Sequence, residues 1–380
     1  QFAVDVAALG GMYANSIRLI GTEDGVGVHN AGTIGTQAGS VVVTADGRIE
    51  NGGTISSAQN LHITTKQSLT NSGTLYGKNE VQVTAQGNIV NQAGGQLGGN
   101  GHLSVTTQGS LTNQGTMVAD GHTTVTSRGS MNNSGTVSGG QGLTLSASSI
   151  DNSGTLQSKG STTISTPGYV NNTAGSKIIS TGFLTLNSGD WLTNYGTLYS
   201  ADGAALSSTN ALFNGGAIQS GLGLSLAASH ITNSGAIYGG GNTQLLSRSA
   251  MVNTGTLGAD GDLTLTMPGE FSSSNTLHAR GHVWLNAGGN VTNTATLAAD
   301  RGLTLTTQGN LFNSGTLYGK EAMRLTVNGS VTNGGTLGSG GELTLTTGGS
   351  LLNNGTLYSQ GAGKYRINGS FTNHGLLRSE

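Results

Sequence analysis

The chain has 380 residues, of which 67 are Gly, none is Cys and two are Pro, and charged residues make up only 8%. No disulfide scaffold and no cysteine-based metal site is possible. The glycines do not recur every third residue, which excludes collagen, and 34% hydrophobic residues exclude a flexible linker. With 15 Lys+Arg against 17 Asp+Glu, no basic excess is left to neutralise phosphates, so no nucleic-acid partner is expected. The apolar runs fall short of the ~20 residues that a membrane-spanning helix needs.

Residues 1–29 run from Gln1, with no charged and apolar leader pattern, through Ala8-Leu9-Gly10-Gly11-Met12-Tyr13-Ala14, Ile17 and Gly21-Thr22-Glu23-Asp24-Gly25-Val26-Gly27-Val28. From Asn30 onwards a motif of the type Asn-x-Gly-Thr-Leu recurs every 20 residues or so. Its asparagines are Asn30, Asn51, Asn71, Asn91, Asn113, Asn133, Asn152, Asn172, Asn194, Asn214, Asn233, Asn253, Asn293, Asn313, Asn333, Asn353 and Asn373. Ser273 takes the one vacant slot. Steps of 22 residues follow Asn91 and Asn172, and steps of 19 follow Asn133 and Asn214. Both kinds keep the apolar positions and change only the turns.

The unit that starts at Asn71 shows the elements in order. Leu75 follows the Asn-x-Gly-Thr turn, Val81 and Val83 alternate with Gln82 and Thr84, and Ile89 follows Gly87. Alternation with a period of two predicts strand, and no stripe of helical spacing competes with it. Gly73, Gly77 and Gly87 mark turns between three short strands. A near-constant period with identical columns predicts a coil that stacks on its own copy. The expected fold is all-β, a parallel β-helix of about 18 rungs of about 20 residues. At ~4.8 Å per rung that is a rod roughly 85 Å long.

Stacking would set each Asn above the last. An amide has both a donor and an acceptor, so such a column can bond end to end and satisfy a buried corner. A second column, seven residues after the Asn slot, reads Asp260, Arg280, Asp300 and Lys320, a charge ladder of alternating sign. Arg301 and Glu321 follow in the next column. The acids are otherwise scattered, and no carboxylate pair suited to glycoside cleavage stands out. His102 and His122 share a slot without a third metal ligand. No catalytic, cofactor or metal site is expected. Thr264 with Thr266, Thr304 with Thr306 and Thr344 with Thr346 read as a solvated strand face. Tyr76, Tyr199, Tyr238, Tyr318 and Tyr358 follow the Leu or Ile slot, and Tyr318 and Tyr358 are candidate surface-binding aromatics.

The stretch Ala8–Ala14 with Gly21–Val28, running into the Asn-Ala-Gly-Thr repeat, resembles the end of the secretion domain of two-partner-secretion exoproteins. The repeats resemble those of filamentous haemagglutinin and of contact-dependent growth-inhibition effectors (CdiA). The resemblance implies a division into residues 1–29, the end of the secretion domain, and 30–380, a right-handed β-helical filament. It implies export through an Omp85-type outer-membrane transporter to the bacterial cell surface. It further implies a target-cell receptor bound by regions outside these residues, with a toxin carried elsewhere in the protein, or an adhesin whose repeats bind host glycan or surface protein.

Overall fold

A computed structural model describes residues 2–380. It falls into two compact units, Gln1–Asp190 and Trp191–Glu380. Each is a stack of coils, and each coil is three short strands separated by tight corners. Among the described residues, the 27 strands of the first unit make nine coils, and the 29 of the second make nine coils and two strands of a tenth. No helix among the described residues is long and apolar enough to cross a membrane.

The coil starting at Leu69 shows the plan. Its strands are Leu69–Asn71, Thr74–Gly77 and Glu80–Ala85. Each pairs in parallel with its equivalent one coil on: Leu69 with Ile89, Leu75 with Leu97, and Val81 with Leu103. Within each unit this builds three parallel sheets around one narrow core. Parallel pairing follows from the closed coil, because the chain travels each side of the triangle in the same direction every time.

The core is a set of apolar columns. Leu75, Val81, Val83 and Ile89 are all at most 1% exposed, as the alternation requires. In the second unit Phe271 lies in the same column as Met251 and Val291, and all three are buried. Core residues therefore pack mostly against their own equivalents above and below, so one residue type can fill a column indefinitely.

The asparagine repeat predicts 18 rungs from Asn30 onwards, and the structure has one more coil before it. Phe2–Val6 pairs with Gly27–Asn30, and Val6 stands in the asparagine slot. The strands Gly11–Ala14 and Ile17–Ile20 complete that coil.

The long steps are absorbed at corners. Gly94 (φ 84°) and Gly175 (φ 79°) carry the inserted turns after Asn91 and Asn172, in the left-handed region that glycine enters freely. Hydrogen bonds from Gly95 N–H to the Gln92 carbonyl and from Ser176 N–H to the Thr173 carbonyl close these turns. The Gly of Asn-x-Gly-Thr is needed for another reason. A Cβ on Gly335 would lie 2.0 Å from the carbonyl oxygen of Gly315, one coil earlier. Gly334, its chain neighbour, would meet nothing nearer than 3.9 Å. Gly335→Ala should therefore destabilise the fold by about 1–3 kcal/mol, the usual range for overpacking. Gly334→Ala should leave it nearly unchanged. Thermal melts of the two variants decide this, and equal shifts would refute the coil-on-coil contact.

Candidate functional site

Every Asn-slot strand ends at the same corner, and this brings the seventeen asparagines into columns. In the first unit each side chain bonds the next. Asn30 Nδ2 donates to Asn51 Oδ1 at 2.7 Å, Asn51 to Asn71 at 2.7 Å and Asn71 to Asn91 at 2.8 Å. Asn91, Asn113, Asn133 and Asn152 donate onward in the same way, as far as Asn172, at 2.8 Å. In the second unit Asn194, Asn214 and Asn233 carry the run to Asn253, and Asn293, Asn313, Asn333 and Asn353 carry it to Asn373.

The second amide proton is shared between two carbonyls. For Asn333 these are Gly335 O at 3.1 Å and Thr356 O at 3.1 Å, the second one coil on. The Asn333 carbonyl in turn accepts the N–H groups of Asn354 and Gly355. One side chain therefore serves its own coil and both neighbours. All of these asparagines except Asn373 are buried.

The column has two marked defects. Val6 has no amide to offer, and Asn30 Oδ1 is left buried without a partner. At Ser273 the hydroxyl accepts from Asn253 at 3.1 Å but donates to the Asn275 carbonyl at 2.9 Å, so Asn293 Oδ1 is also orphaned. Asn275 explains the local rearrangement. It occupies the glycine slot, where a Cβ on the equivalent Gly255 would meet the Gly235 oxygen at 2.0 Å. The Thr276 N–H turns to Asn275 Oδ1 instead, and the following strand begins one residue late, at Leu277. Ala295 fills the same slot one coil later.

The charge column closes in one place. Arg280 pairs with Asp260 at 2.7 Å. Asp300 is engaged by His278 at 3.2 Å, and Lys320 has no ion-pair partner among the described residues. Exposed pairs of this kind contribute about 0–1 kcal/mol. A hydrogen bond to Asp260 also pushes the Tyr238 phenol above its ordinary pKa. His102 and His122 cap strands: the His122 N–H donates to His102 Nδ1 at 3.0 Å, and His122 Nε2 meets the Thr144 hydroxyl at 3.0 Å. Tyr318 and Tyr358 are half-buried and lie two coils apart in one column, with Gly338 between them. The Tyr318 ring lies 3.2 Å from where a Gly338 Cβ would be.

Two further polar columns have no single-letter repeat in the sequence. Asn242 Oδ1, Asp262 Oδ1 and His282 Nδ1 each accept the backbone N–H one coil on, from Asp262, His282 and Gly302. Asn290, Asn310 and Ser330 do the same at another corner, for Asn310, Ser330 and Ser350. Their signal was an Asn, Ser, Asp or His at a fixed corner position, but its mixed composition hides the column. Among the described residues no group of three or more His, Asp or Glu is placed to hold a metal ion.

Stacked parallel coils with a buried amide column define a β-solenoid repeat scaffold. The haemagglutinin repeat family matches residues 2–53, 36–93, 91–188, 168–216, 196–254, 239–315, 279–333 and 316–375, and the chain belongs to that family. Toxin CdiA of Yersinia pestis is 67% identical over 76 residues, 20% of this chain and 2% of that protein. The tRNA nuclease CdiA-2 of Burkholderia pseudomallei is 55% identical over 47 residues, 12% of this chain and 2% of that protein. The tRNA nuclease CdiA of Yersinia mollaretii is 41% identical over 69 residues, 17% of this chain and 2% of that protein. The matched stretches thus span about 2% of the length of these relatives. No solved structure matches the chain. Haemagglutinin repeats on a β-solenoid, with CdiA relatives, mark a filament segment of a CdiA- or filamentous-haemagglutinin-type exoprotein. A repeat-only solenoid fits a structural, non-catalytic role.

Two stability experiments follow from the amide column. Asn313→Ala leaves Asn293 Nδ2 and Asn333 Oδ1 without their partner, and should destabilise by about 1–3 kcal/mol. Gln308→Ala, at an exposed site, should stay within about 0.5 kcal/mol. Denaturant melts that show equal shifts would contradict the column's role. Conversely, Ser273→Asn with Asn275→Gly and Ala295→Gly restores the repeat at the defective corner. This triple variant should be more stable by about 0.5–2 kcal/mol, as other consensus changes are; a lower melting temperature would count against the reading of that corner.

Proposed function

We propose that the chain is a non-catalytic β-helical shaft segment of a large bacterial cell-surface exoprotein. It would be exported by two-partner secretion through an Omp85-type outer-membrane transporter. Its task would be to project a distal receptor-binding and toxin-delivery region, lying outside these residues, toward a neighbouring cell, as in contact-dependent growth inhibition. In this reading residues 1–29 close the secretion domain and 30–380 are shaft, with the asparagine and charge columns as structural devices.

The observation that carries the proposal is the regular strand register of the coils inside each unit. Such a scaffold gains length by adding equivalent coils, each of which buries the open edge of the last. Growth against a preformed edge suits a chain that emerges from a transporter end first. A cysteine-free sequence avoids disulfide trapping on the way. The relatives named as toxins support the delivery role.

A second reading is that the repeats themselves bind a host glycan or surface protein. The half-buried Tyr318 and Tyr358, set two coils apart over small neighbours, favour it.

Deleting residues 293–332 from the full-length exoprotein separates the readings. This removes two whole coils and rejoins Thr292 to Asn333 in register. Surface display and target-cell binding should both survive, whereas deleting residues 293–322 breaks the register and should abolish display. If the two-coil deletion is displayed normally but no longer binds target cells, the shaft reading fails and the adhesin reading stands.

A further inference from the structure

One outer column of the second unit departs from the repeat without any gain to its core. One residue per coil, it reads Thr264, Trp284, Thr304, Arg324, Thr344 and Lys364. Threonine here is the choice of a strand former facing water. Trp284, Arg324 and Lys364 break that choice, and the first two flank Thr304. Both point outward, while their chain neighbours Val283, Leu285, Met323 and Leu325 fill the core. The two side chains are two coils apart, roughly 9.6 Å along the stack.

The groove beside them is shaped. Trp284 is 40% exposed, and its indole stacks on the His282 ring at 5.2 Å with 24° between planes. His282 is itself held, because its Nδ1 accepts the Gly302 N–H. Next to the Thr304 hydroxyl the floor is low, since Gly302 and Ala322 follow His282 in the adjoining column. A Cβ at Gly302 would come within 2.9 Å of His282 Nδ1. An open groove of about 490 Å³ is lined by His282, Gly302, Thr304, Arg324, Glu342 and Thr344, and the Trp284 indole adjoins it through its stack on His282.

Its electrostatics favour an anion. Glu342, at the far rim, is already engaged by Lys364 at 2.8 Å and by the Thr344 hydroxyl at 2.8 Å. Arg324 has no hydrogen-bond or ion-pair partner for its guanidinium among the described residues, and Arg366 stands in the neighbouring column. Of the Arg and Glu side chains that line the groove, Glu342 is neutralised by Lys364, and the Arg324 guanidinium is the cation left over. A guanidinium presents a planar fork that matches a carboxylate. An exposed indole presents a flat apolar face beside a polar edge.

The geometry points to a binding site for an acidic glycan carrying a carboxylate on a pyranose ring, in which Trp284 takes the ring face, Thr304 its hydroxyls and Arg324 the carboxylate. The site rests on the second reading above, in which the repeats themselves bind a glycan, and titration of the chain with glycans tests it apart from display on the cell surface. It is also separate from Tyr318 and Tyr358, which lie in another sheet.

Isothermal titration of the 380-residue chain tests it with three probes: an oligogalacturonate, a sialyllactose and a cello-oligosaccharide. One of the two acidic probes should bind, and which one distinguishes a uronic from a sialic acid source. Binding should weaken with added salt. Arg324→Gln and Trp284→Ser should each weaken it roughly tenfold or more, the loss expected for one charge-assisted contact. Both residues are exposed, so the melting temperatures should not move. The proposal is overturned if neither acidic probe binds, if the neutral probe binds as well as the acidic ones, or if either variant binds like the parent chain.

Discussion

A side-chain amide that accepts from the coil before it and donates to the coil after it sets the terms for the rest of this structure. A corner of a narrow coil brings polar backbone groups inside, where water cannot reach them. Leaving such a group unpaired costs about 1–3 kcal/mol. Asparagine is short enough to stay at the corner, and its Nδ2 has a second proton for the nearby carbonyls. The solution is directional, because every Nδ2 points toward the later coil. It also fixes register, since a coil displaced by one residue would bring a different side chain into the slot. The glycine two residues on is a consequence of the same corner: the carbonyl of the previous coil occupies the space a Cβ would need.

The asparagine and core columns are legible in the sequence because a stacked fold turns spatial neighbours into a fixed sequence interval. Leu75, Val81, Val83 and Ile89 reveal the inward face by their spacing alone, and the Asn slot survives steps of 19 and 22 residues. What stays hidden is whatever does not repeat in one letter. The first coil carries no repeat signal because Val6 replaces the amide. The consequences of Ser273 depend on Asn275 and Ala295, which break a glycine rule that only the coil-on-coil contact explains. The corner caps at Asn242, Asp262 and His282 share a function, accepting one N–H, but not a side chain. The alternating charges at Asp260, Arg280, Asp300 and Lys320 suggest a continuous ladder, yet only Arg280 and Asp260 meet. Long flexible side chains on a solvated face are not held in line as buried amides are. Trp284 and Arg324 carry no repeat signal, because each occurs once in a column in which threonine is the commonest residue.

This division of labour has a functional sense. The inside of each unit is committed to repetition, and so are the corners. The outside is free to vary, since a residue there contacts only its neighbours on the face and water. Local exceptions such as Trp284 and Arg324 can be placed on that face without disturbing the stack, as the buried residues beside them show. A scaffold of this kind separates reach, which the columns provide, from recognition, which a few surface positions can provide.

The most direct measurement of the amide column is hydrogen exchange at its own side chains. In NMR spectra of the chain, the Nδ2 protons of Asn71, Asn113 and Asn333 should exchange as slowly as buried backbone amides in the same coils. Those of the exposed Asn286, whose side chain makes no hydrogen bond among the described residues, should exchange rapidly. Fast exchange throughout the column, in a chain whose backbone amides remain protected, would show that the amides do not hold the coils together.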